Sequence, residues 1–276
     1  SKLIADKFKK RFKDRFEFYN RRFSEIDFVK TSDQIKGIVF DLGFSYNQIK
    51  DPSKGLSFNY KGKLNMRMGQ NKISAQEVIN YLTANELDKI FRYFGEEKYS
   101  KIISKKIVNN RKNKKIQTED LVEIINMAKK NYTKKNKSTK VFQALRIFVN
   151  NEISELIIGL SKSCNLVSKN GIIAVVTFHS LEDRICKFFF NELSSIRKVS
   201  RYLPINNTNE ISFNLIKKKP IIPTKTEIEK NPPSRSAKLR AMKKIGINKI
   251  DTKFIFEKFK YLLEIENISL KLWKIT

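Results

Sequence analysis

A chain of 276 residues with 40% apolar side chains has the material for one large domain, or one domain carrying an insertion, around a sizeable core. No run of about 18 apolar residues occurs, so no membrane-spanning helix is expected, and lysines interrupt the first residues too early for a secretory signal. Only two cysteines, Cys164 and Cys186, and a single histidine are present, in no metal-ligand spacing; they argue against a zinc centre and read as reduced core thiols.

Lysine and arginine number 57 against 28 acidic residues, a net charge of +29. The abundance of Lys, Asn, Ile and Phe is what an AT-rich genome produces, but such bias alone would also have supplied acids. The excess favours a polyanionic partner, nucleic acid above all. An anionic membrane surface is the weaker alternative, because no basic amphipathic helix with Trp anchors stands out.

In chain order, Ser1 to Asn20 reads as a helix leading into a strand around Phe16–Tyr19. Ile35–Asp41 is a short apolar run ending in an acid and followed by the turn-prone Gly43 and Ser45, the pattern of a buried parallel strand. Residues 51–70, with Pro52, Gly55, Gly62 and Gly69, read as loop. Ser74 and Glu77 have the spacing of a capping box. Helices are expected over Ala75–Tyr81, Asn85–Phe94, Tyr99–Asn109 and Glu119–Lys129, together a small helical insertion. A basic linker over Lys129–Lys140 leads to one long amphipathic helix over Val141–Leu166. A turn at Asn170-Gly171 precedes a second apolar strand, Ile172–Phe178, which ends in His179 and Ser180. Leu181–Leu193 reads as a helix and Ala237–Ile245 as a strand.

Strands separated by helices, with polar residues at their carboxyl ends, argue for an open α/β sheet that binds ligands at those ends. Asp41 and His179 are the places to look.

Eight motifs in order carry a resemblance. They are Gly37 to Gln48 (GIVFDLGFSYNQ), Gly55 to Phe58, Lys63 to Met68 (KLNMRM) and Tyr93 to Glu97. Then come Phe142 to Ile147 (FQALRI), Val149 to Glu152, Phe178 to Arg184 (FHSLEDR) and Asn231 to Ser236 (NPPSRS). Any one is weak. Together they resemble the small-subunit ribosomal RNA cytosine-N4 methyltransferases, called RsmH or MraW, from about residue 20 to 245. Residues after about 246 match no motif of that family.

The resemblance implies a Rossmann-like, S-adenosyl-L-methionine-dependent methyltransferase sheet of α/β class with an inserted helical domain. Residues 1–73 and 137–250 would form the methyltransferase domain, 74–136 the insertion and 251–276 a C-terminal extension. Two departures are visible. No glycine precedes Gly37, so the chain is expected to begin beyond the family's Gly-rich cofactor loop and its sheet to lack the first strands. Asn65 replaces the family's Asp, which removes a charge but keeps a hydrogen-bonding group.

By the same resemblance Phe23, Asp41 and Gln48 contact the cofactor, with Phe23 beside the adenine. The implied substrate is small-subunit rRNA or the small ribosomal subunit, near the decoding centre. The implied compartment is the bacterial cytoplasm, with the mitochondrial matrix as alternative.

A cytosine amine is a poor nucleophile, so most of the rate gain must come from alignment with the sulfonium methyl and from acceptors on the amine hydrogens. Asp41 is the best such acceptor. His179 is a second catalytic candidate, more as an orienting group than as a base. A hydrolytic triad at Ser180 lacks a nucleophile-elbow pattern. Arg67, Arg146 and Arg235 are candidates for gripping phosphate or for packing loops. Ser45, Asn65, Ser180 and Arg184 complete the RNA-side set. Two readings from other classes stay open: an inactive RNA-binding or ribosome-assembly factor, and a DNA amino methyltransferase.

Overall fold

A computed structural model describes residues 2–29, 34–44, 48–49, 51–58, 62–69, 71–129, 136–195 and 211–272. Its sheet has four strands: β1 (Ile35–Asp41), β2 (Val167–Thr177), β3 (Phe213–Leu215) and β4 (Lys238–Lys244), in the order β1-β2-β4-β3. β1 and β2 run parallel, while β4 is antiparallel to both β2 and β3. The parallel pair places Asp41 beside Val176, so the carboxyl ends of both strands face one edge. β2 begins five residues earlier than the apolar run suggests. Asn170, at φ 68°, and Gly171 form an irregularity inside the strand rather than a turn before it.

α1 (Lys2–Phe12) opens the chain, and residues 16–22 after it are not a strand. Phe8, Phe12 and Phe16 recur every fourth residue, which is helical rather than strand spacing. Phe8 accordingly stacks on Phe12 at 5.8 Å and meets Phe16 at 5.6 Å, leaving no alternating face for a sheet.

Between β1 and β2 come α2 (Ala75–Tyr81), α3 (Ala84–Tyr93), α4 (Ser100–Asn110) and α5 (Thr118–Ala128). Capping boxes at Ser74/Glu77, Thr83/Glu86 and Gln117/Asp120 start three of them, each satisfying first-turn N–H groups. The expected Val141–Leu166 helix is two helices, α6 (Thr139–Asn150) and α7 (Glu152–Leu166). Asn151 separates them in the left-handed conformation, φ 52°. The apolar period runs through the break and hides it. Of the basic linker, residues 130–135 lie outside the described residues.

α8 (Ser180–Ser194) follows β2 and packs on β3 and β4. A short helix, α9 (Lys225–Lys230), precedes β4. Three helices then close the chain, α10 (Lys253–Lys258), α11 (Lys260–Glu266) and α12 (Ser269–Leu272). Phe259 meets Phe188 of α8 edge-on at 5.5 Å, and Ile255, Leu262 and Leu272 are buried, so these residues belong to the core. Cys164 and Cys186 are buried and unpaired, as expected of core thiols. Among the described residues no helix is long and apolar enough to cross a membrane.

Candidate active site

The carboxyl end of β1 opens into a cavity of about 660 Å³. Phe23, Leu42, Gly43, Gln48, Met68 and Asn71 line it, together with Glu152, Glu155 and Glu182. Gly43 adopts φ 93°, a conformation that side chains rarely reach, and lets the chain turn off the strand beside Phe178. Asp41 is exposed at the end of β1; the two residues after it, not Asp41 itself, are in the wall. Ser45 lies outside the described residues.

The Phe23 segment is held by α7. Phe23 sits edge-on to the buried Phe40 at 5.4 Å and is 40% exposed. Gly159 of α7 permits this approach, since a Cβ there would come within 3.1 Å of Phe23 Cβ and 3.0 Å of Phe40. The backbone N–H of Ser24 donates to Glu155 Oε2 at 2.9 Å, and Lys162 Nζ donates to Ser24 O at 2.7 Å. Opposite, Arg22 donates to Asn71 at 2.7 Å, and both Asn71 Nδ2 and the Met68 N–H donate to Asn150 Oδ1 at 2.8 Å. Asn150 donates in turn to Met66 O and Arg146 O. All four of its hydrogen-bonding positions are thus used to knot three segments into one rim.

Beneath the cavity lie Arg146, Glu152, His179 and Glu182. Arg146 grips both Glu152 oxygens, each bond 2.8 Å, and its guanidinium lies 4.8 Å from the Phe44 ring centroid. Burial alone would push the Arg146 pKa down, but the Glu152 charge and hydrogen bond outweigh it and raise it. Arg146 therefore packs the loops and is not free for a phosphate.

His179 caps α8: its Nδ1 accepts the Glu182 N–H at 3.4 Å, while Glu182 Oε2 accepts the N–H of Phe178 at 2.8 Å and of His179 at 3.3 Å. An Nδ1 that accepts carries no proton, so the proton of the neutral ring is on Nε2. Nε2 lies 3.1 Å from Glu182 Oε1, off line for a regular hydrogen bond but close enough to stabilise that carboxylate electrostatically. Burial pushes the Glu182 carboxyl up, yet His179, the Arg146 charge and the Phe178 N–H together hold it below the usual range. Ligand atoms of Glu152, His179 and Glu182 fall within 4.8 Å of one another, a metal-like grouping. Of its two carboxylates, Glu152 is already paired with the Arg146 guanidinium.

The other sequence candidates are placed elsewhere. Ser180 donates to Glu96 Oε2 at 2.6 Å and Arg184 to Glu96 Oε1 at 3.1 Å, so both latch the loop after α3 onto α8. Arg67 donates to Asn65 Oδ1 at 2.7 Å, and Asn65 Nδ2 to Ser53 O at 3.4 Å, tying the segment around Asn65 to the turn at Pro52–Lys54. Asn65 thus serves Arg67 as acceptor without the charge of an Asp. Arg235 is exposed on the 3-10 turn before β4. Asn71, Asn150 and Glu155 were not singled out from the sequence. Glu152 and Glu155, spaced i and i+3 on one helix turn, were the signal available.

The model of the MraW methylase family matches residues 2–245. Similar curated relatives include the ribosomal RNA small subunit methyltransferase H of Orientia tsutsugamushi strain Ikeda. It is 41% identical over 254 residues, covering 88% of this chain and 81% of that protein. The protein of the same name from Fusobacterium nucleatum is 38% identical, covering 85% of this chain and 77% of its own length. That of Persephonella marina is 40% identical, covering 85% and 78%. With its motifs, its sheet and a match over most of its length, the chain belongs to the MraW methylase family.

Proposed function

We propose that the chain transfers a methyl group from S-adenosyl-L-methionine to N4 of a cytidine in small-subunit ribosomal RNA, in the bacterial cytoplasm of its relatives. The observation that carries this reading is the cavity at the end of β1. It brings Phe23 against Gly43 and Gln48 of the Gly37–Gln48 motif and sets all three against a wall of carboxylates. Its volume suits a cofactor of nucleoside size. The residue chemistry fits S-adenosyl-L-methionine: an exposed aromatic ring for the adenine, an amide for hydrogen bonding, and acids opposite a sulfonium and an ammonium. The cofactor supplies an electrophilic methyl on a positively charged sulfur.

Phe23, held edge-on to Phe40, would present its free face to the adenine. Gln48 would hydrogen-bond the nucleoside. Asp41, exposed beside the cavity, would accept a hydrogen of the cytosine amine and orient its nitrogen. His179, with Nδ1 engaged and Nε2 protonated, fixes the turn that carries Glu182. The methylated amine loses its proton to water. A base within folded RNA must be unstacked to enter such a pocket. The insertion, residues 74–136, is the unit we assign to holding the RNA.

The test is transfer of a radiolabelled methyl group to small-subunit rRNA or small subunits, followed by digestion and identification of the nucleoside. N4-methylcytidine is the expected product. A different methylated nucleoside, or RNA binding without transfer, would replace the reading with another.

A further inference from the structure

We propose that Glu266, on α11 and outside the stretch matched by the family, is a positioning residue for the cavity: it fixes the first turn of α7, which holds Arg146 and the Phe23 segment. The inference rests on the reading of that cavity as a cofactor site only for its effect on binding.

α7 starts directly after the left-handed Asn151, whose side chain makes no capping bond. Its first-turn N–H groups need acceptors from elsewhere. Glu266, only 3% exposed, supplies them: Oε1 accepts from the Ile153 N–H and Oε2 from the Ser154 N–H, both at 2.9 Å. These partners are 113 and 112 residues away in sequence. Glu152 and Glu155 flank the capped pair on the same turn. Glu152 takes both bonds of Arg146, and Glu155 takes the Ser24 N–H beside Phe23. One turn is therefore clamped from the C-terminal helices and delivers two carboxylates to the cavity wall. Ser269, on α12, lines a second, smaller cavity of about 160 Å³ with Arg22, Asn71 and Asn151. The same C-terminal segment thus backs the rim as well as the turn.

Above about pH 8, where Glu266 is ionised and both oxygens accept, Glu266→Gln leaves one of the two N–H groups facing an amide nitrogen that cannot accept, so the comparison is made there. Amide hydrogen exchange in the full chain is the first measurement. Exchange at Ile153 and Ser154 should speed up about tenfold, and exchange at Ser24 should follow, because the loosened turn carries Glu155. Glu264→Gln, at an exposed position on the same helix, should leave all three amides unchanged. A purely local cap would alter Ile153 and Ser154 but not Ser24, and that result would overturn the proposal. Calorimetry with S-adenosylhomocysteine is the second measurement; Glu266→Gln should bind about tenfold more weakly than wild type. Equal affinity with unchanged Ser24 exchange would also overturn it. If wild type binds no cofactor analogue, the functional reading fails, while Ser24 exchange still decides the positioning claim. Should the Gln variant not fold, Glu266→Asp, which keeps the carboxyl at shorter reach, is read the same way.

Discussion

Two buried acids near the cavity are pushed in opposite directions by their surroundings. Burial drives the Glu266 carboxyl up to about 8, against the pull of the Ser154 and Ile153 donors. Glu182 is held below the usual range despite its burial. A raised folded pKa means that between about 4.5 and 8 the folded state keeps a proton that the unfolded chain releases, so this contribution to stability falls as pH rises through that window. Glu182 works the other way: its contribution is present above the ordinary carboxyl value and is lost as pH falls through the depressed one. Urea unfolding across pH should show Glu266→Gln flattening the loss between about pH 4.5 and 8. Glu182→Gln should weaken the protein most at neutral pH, by about 3 kcal/mol, because two backbone N–H groups and His179 lose an ionised partner. A Glu266→Gln profile parallel to wild type would contradict the burial argument. Asp41 is different again. It is exposed, so Asp41→Ala should shift stability by no more than about 0.5 kcal/mol while abolishing methyl transfer. Near-normal turnover would remove it from the site. Gly43 and Gln48 were legible because they sit in one motif, and Phe23 through the resemblance of its own segment. Glu155 and Glu266 were not, because each acts through a partner more than 100 residues away, and Asn150, though inside the Val149–Glu152 motif, joins Met66, Met68 and Asn71 from 79 to 84 residues away.

At the scale of elements, β1, β4 and the capped helices were legible in the sequence; the three-residue β3 was not, and the readings of Phe16–Tyr19 and Val141–Leu166 failed for physical reasons. Ser74 with Glu77 states a helix start in four consecutive residues, and α2 begins there. The junction of α6 and α7 states nothing so local. The apolar period of Val141 to Leu166 continues across it; the Asn151 N–H donates to the last carbonyls of one helix, and Glu266 accepts from the first N–H groups of the next. The signal that was present is the Asn150-Asn151-Glu152 sequence, since Asn is the residue after Gly most tolerant of the left-handed conformation. Asn151→Gly should therefore leave the urea midpoint almost unchanged. Asn151→Val, β-branched and forced to a positive φ, should lower stability by about 1–2 kcal/mol. Equal midpoints for the two variants would show that the break is not enforced by backbone conformation. The same logic explains the missing strand at Phe16–Tyr19, where aromatic residues at helical spacing stack on one another and find no sheet partner.

At the scale of the whole molecule, charge is the feature that the sequence stated most directly and that no single contact explains. Acids are spent inside: Glu152 on Arg146, Asp183 on Lys238 and Arg240, Glu97 on Lys129. Each such pair leaves the net charge of +29 untouched, and many of the described lysines and arginines are exposed. α1 shows the pattern, with Lys7, Lys9, Lys10 and Arg11 all on the outside. A surface of this kind meets RNA through many phosphates at once. Every neutralised phosphate releases condensed counterions, and the logarithm of affinity then falls by about 0.7 to 0.9 per contact for each decade of salt. Six or more contacts would weaken binding by about a hundredfold or more between 50 and 200 mM salt. Fluorescence anisotropy with a small-subunit rRNA fragment should show this steep line, and an unrelated RNA of equal length should show a nearly equal slope at lower affinity. The cavity, on the reading proposed for it, would hold one nucleoside through a few polar groups, so cofactor-analogue binding should change little over the same range. A shallow RNA slope, near that of one or two contacts, would mean that the basic surface faces something other than the RNA backbone. Recognition would then have to come from the cavity and the 74–136 helices.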